Sequence, residues 1–194
     1  GIFEGLDLQT NRAEGDDLLG DAYEYLMRHF ATESGKSKGQ FYTPAEVSRI
    51  LSKVIGIEQA SKLDEPTVYD PTCGSGSLLI KAADEAGTGR IAIFGQENDN
   101  ATWALARMNM ILHGHPTAKL WQDNTLSAPK RWGTEGLTRF DFAVANPPFS
   151  SKAWTTGLIP EEDKYDRFDF GVPPAKNGDY AFLLHVIASL KSKG

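Results

Sequence analysis

Four polar residues, Asp70, Glu97, Asp123 and Asn146, each stand at or just after a short apolar run, and this spacing could do chemistry. In an open parallel sheet, the carboxyl ends of the strands near the switch in strand order are where ligands bind. Asp70 opens the turn Asp70-Pro71-Thr72-Cys73-Gly74-Ser75-Gly76, whose glycines lack Cβ and let a ligand approach the backbone. Taken alone, such a turn serves packing as often as binding. Glu97 follows Gly76 by 21 residues, the position from which a carboxylate reaches ribose hydroxyls. Leu79 stands where a dinucleotide fingerprint needs its third glycine, and no Gly-Lys-Ser/Thr ending follows. The pattern therefore points to a nucleoside without a long phosphate chain.

Asn146-Pro147-Pro148-Phe149 is the most informative stretch. Two consecutive prolines at a strand end stiffen the backbone and remove two N–H donors. The Asn146 oxygen and the Pro147 carbonyl could accept both hydrogens of an aromatic amino group, while Phe149 offers a face on which a base stacks. The plainer alternative is a strand-ending turn with Phe149 in the core.

The elements that must hold these residues are legible as periodic runs. Residues 67–70, 91–95, 118–121 and 140–145 read as strands, and 78–86 and 100–112 as helices stopped by Gly87 and Gly114. The alternation predicts a doubly wound, mostly parallel α/β sheet with helices on both faces. Thr43, Pro44 and Glu46 read as a capping box, starting a helix whose inner face is Val47, Ile50, Leu51 and Val54. A last helix, with Asp179 as N-cap, is expected to bury Tyr180, Leu183, Leu184, Ile187 and Leu190. Residues 161–170 read as a flexible loop in which Tyr165, Phe168 and Phe170 are candidates for contact with substrate or a partner. Residues 1–15 read as a tail and residues 16–30 as a helix, with Leu18, Leu19, Ala22, Leu26 and Phe30 at helical spacing. The division expected is 1–38, tail and linker helix, and 39–194, catalytic domain. Four strands leave the sheet short of its second half and the sequence begins without methionine, so a fragment lacking its C-terminal part is expected.

The 194 residues carry a formal charge of −6 with a single cysteine, Cys73. One cysteine excludes an internal disulfide framework and multi-cysteine metal sites, and suits a reducing, cytoplasmic setting. Cys73 itself reads as a small packing residue. No apolar run approaches the roughly 20 residues of a membrane span. The acidic balance opposes simple phosphate binding, because the positive charge is local: Lys36 and Lys38, Lys130 and Arg131, then Lys152. His29, His113, His115 and His185 have no ligand spacing and read as core or surface. Trp103 and Trp121 read as core, although Trp121 near Asp123 is also placed to line a base pocket.

Gly39-Gln40-Phe41-Tyr42-Thr43-Pro44, the glycine turn from Asp70 to Gly76, and Asn146-Pro147-Pro148-Phe149 occur in the order seen in the amino-group DNA methyltransferases that use S-adenosylmethionine. The chain resembles the methylation (modification) subunits of type I restriction systems, N6-adenine enzymes in the gamma arrangement, over about residues 16–191. The resemblance implies the Rossmann-like S-adenosylmethionine-dependent methyltransferase fold. It implies that Phe41, Tyr42 and Thr43 flank the methionine end of the cofactor, that Asp70 faces its ammonium, and that Thr72, Gly74 and Gly76 shape the loop around it. Glu97 would bond the ribose, Asn98 would lie beside the adenine, and Asp123 with Asn124 would meet the cofactor's amino group. Asn146, Pro147, Pro148 and Phe149 would hold the target adenine after it leaves the duplex. No metal is called for, since the sulfonium methyl is already electrophilic. The partners implied are duplex DNA, a specificity subunit that reads the sequence, and a restriction subunit. Two rivals stand beside this: methylation of RNA or of a protein glutamine amide, and a non-catalytic cofactor-binding scaffold for the specificity subunit.

Overall fold

The computed structural model describes Tyr25, residues 43–133 and residues 135–192. The expected tail, the helix over 16–30 apart from Tyr25, Lys36, Lys38, Phe41 and Tyr42 lie outside the described residues.

The described chain runs α1 (Ala45–Val54), β1 (Thr67–Asp70), α2 (Ser77–Glu85), β2 (Ala92–Glu97), α3 (Asn100–Leu112), β3 (Lys119–Gln122), β4 (Phe142–Ala143) and α4 (Asp179–Ala188). All strand pairings are parallel, in the order β3-β2-β1-β4. The chain moves outward from β1 through β2 and β3, then returns to the other side of β1. That reversal creates the crevice at which open α/β sheets bind ligands.

One face of the sheet presents Val68, Ile93 and Leu120 to Leu79, Ile80, Ala106 and Met110 of α2 and α3. The other face is aromatic. Tyr69 stacks on Phe140 with centroids 4.4 Å apart, Phe94 lies against both Phe140 and Trp132, and His185 of α4 closes over Tyr69. Helices thus cover both faces, as the alternation predicts.

Several expectations need correction. Pro44, not Thr43, is the N-cap of α1, and no side-chain cap forms there, because the Thr43 hydroxyl is engaged by Asn146 instead. The inward face of α1 is Ser48, Leu51 and Ser52, while Val47, Ile50 and Val54 are exposed. Small serines let the helix pack closely, and the Ser52 hydroxyl is satisfied by the Ser48 carbonyl at 2.8 Å. Strand β4 is only two residues long. At its start the Asp141 carboxylate accepts from the Thr67 N–H (3.0 Å) and hydroxyl (2.7 Å), substituting for a rung of the ladder. Beyond β4, Phe140 bridges in parallel to Leu190, so a further neighbour begins on that side.

The last helix is turned only in part from the face expected, since Leu184 still packs against the core. Ala181, Phe182 and His185 are buried, whereas Tyr180, Leu183 and Ile187 are exposed. Asp179 is not its cap; its Oδ1 accepts from the Ser150 N–H at 2.6 Å, tying the helix start to the end of the Asn146–Phe149 stretch. Residues 161–170 are pinned rather than loose: Phe168 packs with Leu126, Trp154, Ala181 and Phe182, and Arg167 is buried. Phe170 remains exposed.

Gly76 precedes α2 with φ +82°, and a Cβ there would stand 2.8 Å from Met110 Cε. Met110 can yield, but the left-handed backbone cannot relax. Gly76→Ala is expected to destabilise the fold by about 1–2 kcal/mol, read as a lower urea midpoint with unchanged slope.

Candidate active site

A cavity of about 770 Å³ opens at the carboxyl edge of the sheet, fed by all four strand ends. Thr72 follows β1, Glu97 closes β2 and Asn98 follows it, Asn124 follows β3, and Asn146 and Pro148 follow β4; all six line it. Its volume is in the range of small-molecule sites. The remaining expected residues lie elsewhere. Asp70 is buried beneath the turn, Gly74 and Gly76 form the turn behind Thr72, and Pro147 and Phe149 sit away from the lining. Phe149 is 70% exposed, so it is neither core nor wall. Asp123 is exposed and outside the lining, its Oδ1 accepting from the Asn124 N–H at 2.8 Å. Trp121 faces outward with the Lys130 ammonium 3.3 Å over its ring, and it does not line the cavity.

Glu97 ties the floor together. Its Oε2 accepts from the Gly74 N–H (3.0 Å) and its Oε1 from the Asp99 N–H (2.8 Å), which fixes the glycine turn against the end of β2. Burial pushes its pKa upward, opposed by the amides of Asp99 and Gly74. Asp70 accepts from the Thr72 N–H at 2.8 Å. Its carboxyl is pushed up to about 7, chiefly by burial, with the Thr72 amide opposing and the nearby Glu97 charge adding to the rise.

On the far wall, Asn124 Oδ1 accepts from the Leu126 N–H at 2.9 Å, a side-chain turn that orders residues 124–126. Asn146 Nδ2 donates to the Thr43 hydroxyl at 3.2 Å across 103 residues of sequence. That bond orients the amide and joins the segment before α1 to the end of β4.

The sequence reading missed Asp99, Thr102, Thr125, Leu126, Trp154 and Thr156 as cavity residues. Asp99 was legible, since Asp followed three residues later by Thr at a helix start is a capping pattern; its Oδ1 accepts from the Thr102 N–H at 2.9 Å and hydroxyl at 2.7 Å. Trp154 had no local signal, because a segment without periodicity carries it there. Among the described residues, no group of three or more His, Cys, Asp or Glu side chains could hold a metal ion, and no helix is long and apolar enough to cross a membrane.

Comparison with known proteins gives four matches. A family profile described as N-6 DNA Methylase matches residues 14–194. The methylase subunit of the type I restriction enzyme MpnII of Mycoplasma pneumoniae is 35% identical, over 99% of this chain and 37% of its own length. Among solved structures, the type I restriction-modification system methyltransferase subunit from Streptococcus thermophilus is 38% identical, with a TM-score of 0.77 over 94% of this chain and 38% of that one. A Listeria monocytogenes protein classed among the class I S-adenosylmethionine-dependent methyltransferases, 14% identical, superposes with a TM-score of 0.67 over 92% of this chain and 52% of that one. The fold is therefore the Rossmann-like one of S-adenosylmethionine-dependent methyltransferases. The chain spans about 29–39% of the length of the type I relatives it matches.

Proposed function

The chain belongs to the N-6 DNA methylase family, and from that premise we propose that it transfers a methyl group from S-adenosylmethionine to the exocyclic amino group of adenine in duplex DNA, as the modification subunit of a type I restriction-modification system. The observation that carries this reading is that Asn146 and the Glu97–Asn98–Asn124 edge share one continuous cavity. A donor and an acceptor of the methyl group must meet in one space, and these residues bound it.

The residues present fit the cofactor. Glu97 lines the cavity and each of its oxygens accepts from a backbone N–H group, which does not exhaust the roughly four lone-pair sites of a carboxylate, so it can also accept from ribose hydroxyls. In this reading Asn98 and Asn124 flank the adenine end. Asp70, Thr72, Gly74 and Gly76 hold the methionine end, with Phe41, Tyr42 and Thr43 beside it. Asp123, exposed and bonded to the Asn124 amide, acts on the cofactor edge through Asn124. When bound, the cofactor supplies a methyl group on a sulfonium that is already electrophilic.

The protein's task is then to sharpen a poor nucleophile. The adenine amino lone pair is delocalised into the ring. The Asn146 side-chain oxygen and the Pro147 carbonyl accept its two hydrogens and favour a pyramidal nitrogen on which the pair is localised. Phe149, already exposed, stacks on the base and offsets part of the few kcal/mol that leaving the duplex costs. Once the nitrogen is alkylated its proton is acidic, so release needs no strong base. The net charge of −6 fits a division of labour in which a specificity subunit supplies most of the DNA contact and a restriction subunit joins the complex.

The test is transfer of labelled methyl groups by the protein as its cell makes it, with and without its specificity subunit, onto duplex DNA, RNA and protein. Label in DNA adenine that requires the specificity subunit is the expected result. Label on RNA or on a glutamine amide would favour the rival substrates, and cofactor uptake without transfer to any of them would favour a scaffold.

A further inference from the structure

Arg167 is 2% exposed, yet it lies in a segment with no regular structure, 18 residues beyond Phe149. Every N–H of its guanidinium has an acceptor. Nε donates to Asp163 Oδ1 and Oδ2 at 3.1 and 3.0 Å. One terminal nitrogen, Nη2, donates to Asp163 Oδ1 at 2.6 Å and to the Leu126 carbonyl at 2.7 Å. The other, Nη1, meets the Thr125 carbonyl at 3.3 Å and His185 Nδ1 at 3.2 Å. Arginine is permanently charged and has no acceptor, so His185 Nδ1 must accept. The ring is therefore neutral, with its proton on Nε2, which is 3.1 Å from the Tyr69 hydroxyl and 3.3 Å from that of Thr125. Burial, with the Arg167 charge second, holds the His185 pKa down to about 3, so this arrangement persists at every working pH.

The two carbonyls that Arg167 grips belong to Thr125 and Leu126, which line the cavity beside Asn124. The turn 124–126 is thus fixed from two sides: from within by the Asn124 side chain on the Leu126 N–H, and from behind by the guanidinium. Asp163 and Arg167 also belong to the segment that follows the Asn146–Phe149 stretch, so the fork joins that segment to the opposite wall.

Resting on the proposed cofactor reading, we infer that Arg167 is the positioning residue for the cofactor wall: it sets affinity for the nucleoside end of the cofactor without touching it. A buried ion pair is by itself weak evidence for a role in stability. Five donors distributed over two cavity-wall carbonyls, a carboxylate and a neutral imidazole match a role in geometry. Lysine keeps the charge but has three donors and no planar fork, so it cannot hold both carbonyls and Asp163 together.

The test compares wild type with Arg167→Lys in the protein as its cell makes it. Calorimetry measures the Kd for S-adenosylhomocysteine, steady-state kinetics give kcat at saturating cofactor, and circular dichroism gives the folded fraction. Arg167→Lys is expected to raise Kd about tenfold, the equivalent of one or two lost hydrogen bonds, while kcat at saturation stays within about twofold. A purely structural role would lower kcat and binding stoichiometry together with the folded fraction and leave Kd unchanged, and that result overturns the inference. If Arg167→Lys does not fold, Asp163→Asn carries the test, because both carbonyl bonds remain while the charge and one of the two carboxylate acceptors that steady the fork are lost. A rise in Kd of about threefold at constant kcat supports positioning, and an unchanged Kd sinks it. Wild type that binds neither S-adenosylmethionine nor its demethylated product would instead remove the cofactor reading on which the inference stands.

Discussion

Asn146→Ala is expected to lower methyl transfer by on the order of 10³-fold while leaving the cofactor Kd within about twofold of wild type. The expectation follows from where the amide sits. Its Nδ2 is bonded to the Thr43 hydroxyl, so its oxygen keeps one orientation at the cavity, and an acceptor held in place acts mainly on charge that shifts during the reaction. Alanine removes that acceptor but leaves Glu97, Asn98 and Asn124 untouched. Asn146→Asp keeps an oxygen and loses the donor to Thr43, so it is expected to retain more activity than alanine while binding the target base in a less defined pose. Single-turnover transfer, measured beside calorimetry on the same preparations, separates the two effects. Loss of affinity in step with loss of transfer would move Asn146 from the reaction to the architecture of the fold.

The same bond shows which parts of this protein were legible from its sequence. Strand β1 and helix α3 were placed to the residue, because tightly bounded apolar runs with glycine stops leave little choice of register. The strand ends were legible because topology alone puts them together, although of the four residues named there only Glu97 and Asn146 line the cavity. Much of what failed involves polar residues that are satisfied by distant partners. Thr43 reads as a cap by its neighbours, yet its hydroxyl is taken by a residue 103 positions away. His185 reads as core or surface with nothing to decide between them, and Tyr69, Thr125 and Arg167 supply the partners that let it be buried. Asp163 and Arg167 lie in the stretch that reads as a flexible loop, and their side chains are buried because each completes the other. Local pattern does not place such residues, and only the assembled fold supplies their partners.

A comparable tension between stability and function is expected at Asp70. Asp70→Asn should weaken cofactor binding about ten- to a hundredfold while making the protein more stable at pH 8. The native carboxyl has a pKa near 7 against an ordinary value of 3.8, so the folded state holds a proton that the unfolded state releases. Its contribution is therefore fully present below about pH 4 and is lost as pH rises toward 7, a difference of about 4 kcal/mol at most. The raised pKa of Glu97 acts in the same direction. His185 acts oppositely: its native pKa, held to about 3, makes stability fall as pH drops below its ordinary 6.5. In wild type the two slopes largely cancel between pH 4 and 6.5. Asparagine keeps the acceptor for the Thr72 N–H and cannot ionise, so its variant should match wild type near pH 4, gain stability up to about pH 6.5, and exceed wild type at pH 8. Binding should show the mirror image. Wild-type affinity for S-adenosylmethionine rises as pH passes through 7, because a cationic amine needs the ionised carboxylate, and the asparagine variant lacks that rise. Urea titrations at pH 5 and pH 8, paired with calorimetry at both, test the two halves independently. Parallel pH profiles for wild type and variant in both measurements would show that Asp70 stays ionised beneath the turn.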